Sequence, residues 1–265
     1  MGSVLELFSL EGKTALVTGG TRGIGQAMTL ALAEAGADII LIQRDTSNTA
    51  TKSLIESLPG SRKCTIITAD LSSAESVRSL VPDLLSRNPS IRIDILLNCA
   101  GIQRRHPSQK FPDEDWNDVL QVNLSTVFTL CRDVGAYMLS QSPDSRGQRG
   151  AIINVASLLS FQGGLTVPAY AASKGGVAQL TKALSNEWAG QGINVNAIAP
   201  GYIATDMNTA IINDENRAGT ILARIPAGRW GKPEDFKGVV VWLASAASAY
   251  VSGEIVTVDG GWMGR

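Results

Sequence analysis

The chain of 265 residues is poor in the groups that most often carry chemistry. It has one histidine, His106, which excludes a histidine-rich metal cluster and leaves a single imidazole for any Ser-His-Asp or Cys-His arrangement. That residue lies in the polar loop "GIQRRHPSQK" and reads as a solvated side chain. The three cysteines, Cys64, Cys99 and Cys131, have no CxxC spacing, so neither a disulfide framework nor a thiolate metal site is expected, and all three read as small buried residues. No apolar run is long enough for a membrane span, because "GVVVWLASAASAYVSG" is diluted by serine and glycine. The start "MGSVLELFSLEGK" carries an acid inside a short apolar patch and lacks a basic leader, so a cytosolic location is expected. With 23 basic against 24 acidic residues and no basic stripe, nucleic acid is not an expected partner; a small molecule is.

What is present is alternation. Short β-branched runs at 14–18, 38–43, 64–68, 93–98, 151–156, 193–199 and 254–258 read as strands buried on both faces. Between them, 22–35, 46–58, 73–86, 113–140, 168–190 and 233–246 have helical spacing. This predicts an α/β fold in one domain over 1–265, a doubly wound parallel sheet with helices on both faces. The segment 200–232 breaks the alternation, with Pro/Gly pairs around a polar helical middle, and 207–231 reads as a substrate lid.

The first strand runs into "TGGTRGIG" and then a helix. Gly19, Gly23 and Gly25 let the backbone turn and approach a pyrophosphate, which the free N–H groups of the helix start attract. The second strand ends "IQRD". Arg44, with Arg22 in the glycine loop, matches a ribose 2′-phosphate, so NADP(H) is favoured over NAD(H), with Asp45 as the counter-signal. Asp70 follows the third strand, at the adenine edge, and "NCAG" ends the fourth.

Ser157 follows the fifth strand, and Tyr170 and Lys174 stand one helical turn apart. A free phenol, pKa about 10, is a poor proton donor near neutrality. A neighbouring ammonium, helped by a cationic oxidised nicotinamide, is expected to lower that value, while Ser157 holds a carbonyl oxygen. On the stripe Trp116, Leu120, Asn123, Val127, Leu130, the polar Asn123 stands out. It reads either as an amide bonding nearby backbone or as one end of a water-linked proton route to Lys174.

"TGGTRGIG", "NCAG", Asn123, Ser157 and the Tyr170 to Lys174 run resemble the short-chain dehydrogenase/reductase family over essentially the whole chain. The resemblance implies a seven-stranded Rossmann sheet, a homotetramer and a tetrad of Asn123, Ser157, Tyr170 and Lys174. It implies cofactor contacts from Gly19, Thr21, Arg22, Gly23, Ile24, Gly25, Arg44, Asp70, Leu71, Asn98, Ala100, Gly101, Tyr170 and Lys174, and from the nicotinamide-side segment Pro200, Gly201, Ile203 and Thr205. Cys99 departs from the pattern, which has a second Asn there, and this concerns a bond bracing the central strands. "SFQGGLTVPAYAASK", "NEWAGQGINVNAIAPGYIAT", "ILARIPAGRWGKPED" and "VDGGW" are similar to the 2-deoxy-D-gluconate 3-dehydrogenase / 2-dehydro-3-deoxy-D-gluconate 5-dehydrogenase subgroup, which implies a sugar-acid substrate. Arg104 and Arg105 are then candidates for its carboxylate and Gln162 for a hydroxyl, while Trp188 reads as helix packing. Two other readings stay open: reduction of a polyol, keto-ester or secondary-metabolite ketone, and a nucleotide-sensing protein without catalysis.

Overall fold

Apolar residues on both sides of each strand find two separate cores. The strands are β1 (Thr14–Thr18), β2 (Asp38–Gln43), β3 (Cys64–Thr68), β4 (Ile95–Asn98), β5 (Gly150–Val155), β6 (Ile193–Pro200) and β7 (Ile255–Val258), within two residues of the ranges read from the sequence. The computed structural model describes residues 3–265, without the side chains of Met207 and Ala210. All strand pairs are parallel, in the order β3-β2-β1-β4-β5-β6-β7. The expected doubly wound sheet is borne out.

Side chains alternate across the sheet. Leu16, Leu96, Ile152 and Val195 face one side, where they meet α3 (Ala74–Arg87), α5 (Thr126–Ser140) and α6 (Pro168–Trp188). Val17, Leu41, Leu97 and Ile153 face the other, against α1 (Gly23–Glu34) and α9 (Lys237–Ala244). Each fully buried Leu or Ile contributes roughly 1.5–3 kcal/mol. Trp188 packs as expected: it is buried and lies on α5, where a Cβ at Gly135 would come within 2.6 Å of its ring.

Three helical ranges differ from the sequence reading. The segment read as 46–58 is helical only as α2 (Ala50–Glu56), because Asp45 accepts from the Ser47 N–H at 2.8 Å and Gln43 donates to the carbonyls of Asp45 and Asn48, holding 45–49 as a turn. The segment 113–140 divides into α4 (Asp113–Leu120) and α5 around a π turn, Gln121–Ser125. That turn accommodates one extra residue, so the two halves do not share one stripe: Val119, Asn123, Val127 and Leu130 are buried, and Trp116 is exposed. The last helical segment opens with a 3-10 turn, Pro233–Phe236, before α9.

Between β6 and α9, α7 (Thr209–Ile212) and α8 (Glu215–Arg224) form a satellite over the strand ends. Ile211, Ile221 and Ile225 join Leu158 and Trp262 in a small core of their own. Among the described residues no helix is long and apolar enough to cross a membrane.

Candidate active site

The sheet reverses direction of growth between β1 and β4, so their C-terminal ends part to leave a crevice. Gly19, at φ +70°, lines it so tightly that a Cβ would stand 2.6 Å from the Ala100 nitrogen. A Cβ on Gly25 would stand 2.1 Å from the Gly19 carbonyl oxygen. No side chain caps α1, whose N-cap, Arg22, is extended, so the first N–H groups of a 12-residue helix open to the crevice. The Thr18 hydroxyl accepts from the Cys99 and Ala100 N–H groups at 3.2 and 3.3 Å, bracing β1 to β4 beside Cys99. Thr21 receives the Gln26 amide on its carbonyl, and Ile24 packs on the lower core.

At the expected ribose end, Arg44 is exposed and unhindered. Arg22 pairs with Asp206 at 3.1 Å, tying the glycine loop to the segment after β6. Asp70 accepts from Ser72 twice, which holds its carboxyl below the usual range, with Arg44 adding to the effect. The Leu71 carbonyl accepts from Thr126 at 2.8 Å. Asn98 points into the protein: buried, it donates to Asn154 at 3.0 Å, and Asn154 donates to Thr181 on α6 at 3.0 Å. Its side chain therefore links β4 and β5 to the helix carrying Tyr170. Cys131 joins the same network through Asn98 and Asn154 and is more than apolar filling. On the far side, Pro200 ends β6, Gly201 lies against Asp259, Ile203 is buried and bridges to Gly231, and the Thr205 methyl lies near Gly23.

Ser157, Tyr170 and Lys174 converge at the end of β5. Pro168 starts α6 at its first turn, which sets Tyr170 and Lys174 on one face, the ammonium nitrogen 5.6 Å from the phenol ring centre. Lys174 is buried and donates to the Val155 carbonyl at 2.6 Å. Ser157 caps a short turn, accepting from the Leu159 N–H at 3.2 Å. The Ser160 hydroxyl accepts from the Ser157 N–H at 3.3 Å and donates to the Lys174 carbonyl at 2.7 Å, so it fixes the serine against α6. Sequence reasoning missed Ser160; the Ser157-Leu158-Leu159-Ser160 spacing of a capping box was the available signal.

Asn123 bonds the backbone of the segment after β4. Its amide clasps Ile102 from both sides, accepting from the N–H at 2.8 Å and donating to the carbonyl at 2.9 Å, and it reaches the Ser173 hydroxyl at 3.3 Å. The position of a Cβ on Gly101 would meet both the Asn123 oxygen, at 3.4 Å, and the Lys174 nitrogen, at 3.8 Å, so the two groups border one small space. The π turn is what places this amide there.

Burial pushes Tyr170 up to about 12, opposed by its hydrogen bond with Ser157. Burial also lowers Lys174 to about 8. The unfolded lysine holds its proton to higher pH than the folded one, so this group costs stability below pH 8, and the cost fades as pH rises toward 10.5. The melting temperature of the wild type should therefore gain on that of Lys174→Met between those pH values. A constant difference across that window would contradict a buried, proton-losing Lys174.

Arg104 and Arg105 separate. Arg104 pairs with Asp115 at 3.2 Å and belongs to the surface of α4. Arg105 donates to Gln103 at 2.8 Å, and burial lowers its pKa, with the like charge of Arg217 adding to the effect. His106 is not a solvated side chain: its Nε2 lies 2.6 Å from Asp115, and its ring meets Phe111 edge-on. Gln162 accepts from the Trp262 indole at 3.1 Å. With Trp262, Gln162 borders a cleft of about 840 Å³ that also includes Tyr202, Arg217 and Arg224. Tyr202, Trp262 and Arg217 were not singled out from sequence, because they come from three distant segments that only the fold assembles.

A parallel sheet that opens beside an uncapped, glycine-lined helix start, with a tyrosine and a lysine held at the next strand end, is the architecture of a Rossmann-type oxidoreductase. A family model described as Enoyl-(Acyl carrier protein) reductase matches residues 19–263, and the chain belongs to the short-chain dehydrogenase/reductase family. It is 50% identical to the 2-dehydro-3-deoxy-D-gluconate 5-dehydrogenase of Bacillus subtilis (strain 168), over 100% of both chains. It is 45% identical to the protein of that name from Escherichia coli (strain K12), over 99% of this chain and 100% of the other. Among solved structures, a gluconate 5-dehydrogenase from Burkholderia cenocepacia J2315, in complex with NADP and tartrate, superposes with a TM-score of 0.89 at 37% identity, covering 99% of this chain and 100% of that one.

Proposed function

We propose that this chain is an NADP(H)-preferring dehydrogenase that interconverts a secondary alcohol and a ketone on a sugar acid of the deoxygluconate or diketo-deoxyhexonate type. The observation that carries the reading is the convergence of Ser157, Tyr170 and Lys174 at the end of β5, with Tyr170 bonded to Ser157 and Lys174 held on the Val155 carbonyl. A dinucleotide fits the residues present. Gly19 and Gly25 leave no side chain in the crevice, and the free N–H groups of α1 suit a pyrophosphate. Thr21, Gly23 and Ile24 continue that cradle. Arg44 would meet a 2′-phosphate, joined by Arg22 on release from Asp206, and Asp70 with Leu71 would border the base. Ala100, Gly101, Tyr170 and Lys174 would face the nicotinamide ribose, and Pro200, Gly201, Ile203 and Thr205 its carboxamide.

The nicotinamide supplies or accepts the hydride at the reacting carbon. Ser157 donates a hydrogen bond to the carbonyl oxygen and orients it toward Tyr170. In reduction the Tyr170 hydroxyl gives its proton to that oxygen, and in oxidation the phenolate takes it back. Lys174, cationic below pH 8, offsets the cost of the buried phenolate. Asn123 holds Ile102, and with it the Gly101 floor, in place for Lys174. Arg105 receives the substrate carboxylate and Gln162 a hydroxyl, while Arg104 stays engaged with Asp115. The helices α7 and α8 act as the lid over 207–231. Exposed Trp116 and Phe128 on α4 and α5, and fully exposed Tyr250, are apolar surface that the subunits of a homotetramer would cover.

The test is cofactor oxidation or reduction by the purified protein with diketo-deoxyhexonate, 2-dehydro-3-deoxy-D-gluconate, polyols and keto-esters in parallel. Turnover confined to the sugar acids supports the reading, whereas turnover confined to neutral ketones rejects it. Arg44→Asp should raise the Kd for NADP and lower that for NAD, because one change removes a phosphate partner and supplies a 2′-hydroxyl acceptor. Unchanged affinities by fluorescence titration would remove Arg44 from the cofactor site.

A further inference from the structure

The buried Trp262 indole is fixed by contacts from three other segments. The Tyr202 ring centre lies 4.7 Å from its own, the Arg224 guanidinium lies 4.0 Å over it, and Gln162 meets its nitrogen at 3.1 Å. Asp259 accepts from the Gly261 and Met263 N–H groups at 2.8 and 2.9 Å, which fixes the turn after β7 that carries the ring. An indole N–H can only donate, so the atom of Gln162 that faces it is the amide oxygen. The amide nitrogen, with its two N–H donors, has no hydrogen-bond partner among the described residues. Both side chains line the cleft bordered by α8. Gln162 follows the turn that Ser157 caps, its N–H donating to the Leu158 carbonyl at 3.1 Å.

We propose that Trp262 is a positioning residue for substrate selection: by holding the oxygen of the Gln162 amide, it turns the two N–H donors to the cleft and makes Gln162 a donor-only contact for a substrate oxygen. A glutamine free to rotate offers either face and must be ordered when substrate binds, whereas the locked amide is ordered beforehand. The substrate class is then one that brings an oxygen lone pair to Gln162, and a substrate with only carbon-bound hydrogen there leaves the donors unpaired. The inference rests on the sugar-acid reading above, in which Gln162 meets a hydroxyl, and assigns the direction of that bond to Trp262.

The wild type, Trp262→Phe, Gln162→Met, the double variant and Gln162→Glu are compared for oxidation of 2-dehydro-3-deoxy-D-gluconate with NADP. Trp262→Phe and Gln162→Met should each raise KM roughly 2- to 10-fold, the worth of one ordered side chain or one neutral hydrogen bond, with kcat changed much less. In the Gln162→Met background Trp262→Phe should add little, because its effect runs through the missing amide. Gln162→Glu keeps an acceptor for the indole and loses the donors, so its KM should rise at least as far as that of Gln162→Met. A Trp262→Phe loss that persists in full in the double variant would reduce Trp262 to packing and overturn the proposal. So would a wild-type KM in Trp262→Phe or in Gln162→Glu, the second of which leaves Trp262 intact. If the wild type turns over a neutral polyol and not the acid, the sugar-acid reading falls and the same variants on the polyol decide the role of Trp262. No turnover of either compound rejects both.

Discussion

Tyr170→Phe is expected to abolish measurable turnover while the protein still binds its nucleotide with wild-type affinity. The substitution removes one oxygen and keeps the ring, so the packing of α6 and the neighbouring Lys174 stay in place. What is lost is the only phenol that the fold brings to Ser157, and with it the proton for the substrate oxygen. General acid-base catalysis contributes roughly 100- to 10,000-fold, so kcat should fall by at least that range. Steady-state kinetics with a parallel fluorescence titration separates the effects. Retained activity would show that the proton comes from another group, and lost nucleotide binding would show that the variant had damaged the crevice.

Gly25→Ala should act at the other end of the site and on both stability and binding. Its Cβ would meet the Gly19 carbonyl oxygen at 2.1 Å and the Cys99 sulfur at 3.1 Å, and the first partner is backbone that cannot rotate away. Either α1 or the glycine loop must move, at a cost of about 1–3 kcal/mol or more. Because the displaced loop is the cradle itself, nucleotide Kd should rise at least roughly tenfold. Gly238→Ala in α9 is the control. It meets nothing within 4 Å, and alanine in a helix should stabilise by about 0.5–1 kcal/mol with binding unchanged. Thermal unfolding and titration of the two variants would contradict the account if they behaved alike.

The strands were legible because a residue buried on either face must be apolar, and runs such as Ile39 to Ile42 leave no other reading. The cradle was legible for a local reason too: its glycines, strand and helix adjoin in sequence. Tyr170 and Lys174 share one turn of one helix, which spacing alone can reveal. The π turn at Gln121–Ser125 was not legible, since helical periodicity holds on both sides of it and the clasp of Asn123 on Ile102 that goes with it is tertiary. The separate fates of Arg104 and Arg105 were equally hidden. Adjacent in a loop, they differ only in that Asp115 reaches one of them. Arg22 was read as a phosphate ligand from its place in the glycine loop, and its pairing with Asp206, far away in sequence, could not be anticipated. Asn98 was read with the cofactor because its neighbours were, and strand alternation turns its side chain toward Asn154.

The most direct test of the account is turnover by the purified wild-type protein, following nicotinamide absorbance with NADP and 2-dehydro-3-deoxy-D-gluconate, beside the same reaction with a polyol of equal length. The account predicts steady reduction of the cofactor with the acid, none with Tyr170→Phe, and little with the polyol. Cofactor reduction by the polyol alone, or tight NADP binding with no turnover of either compound, would contradict it.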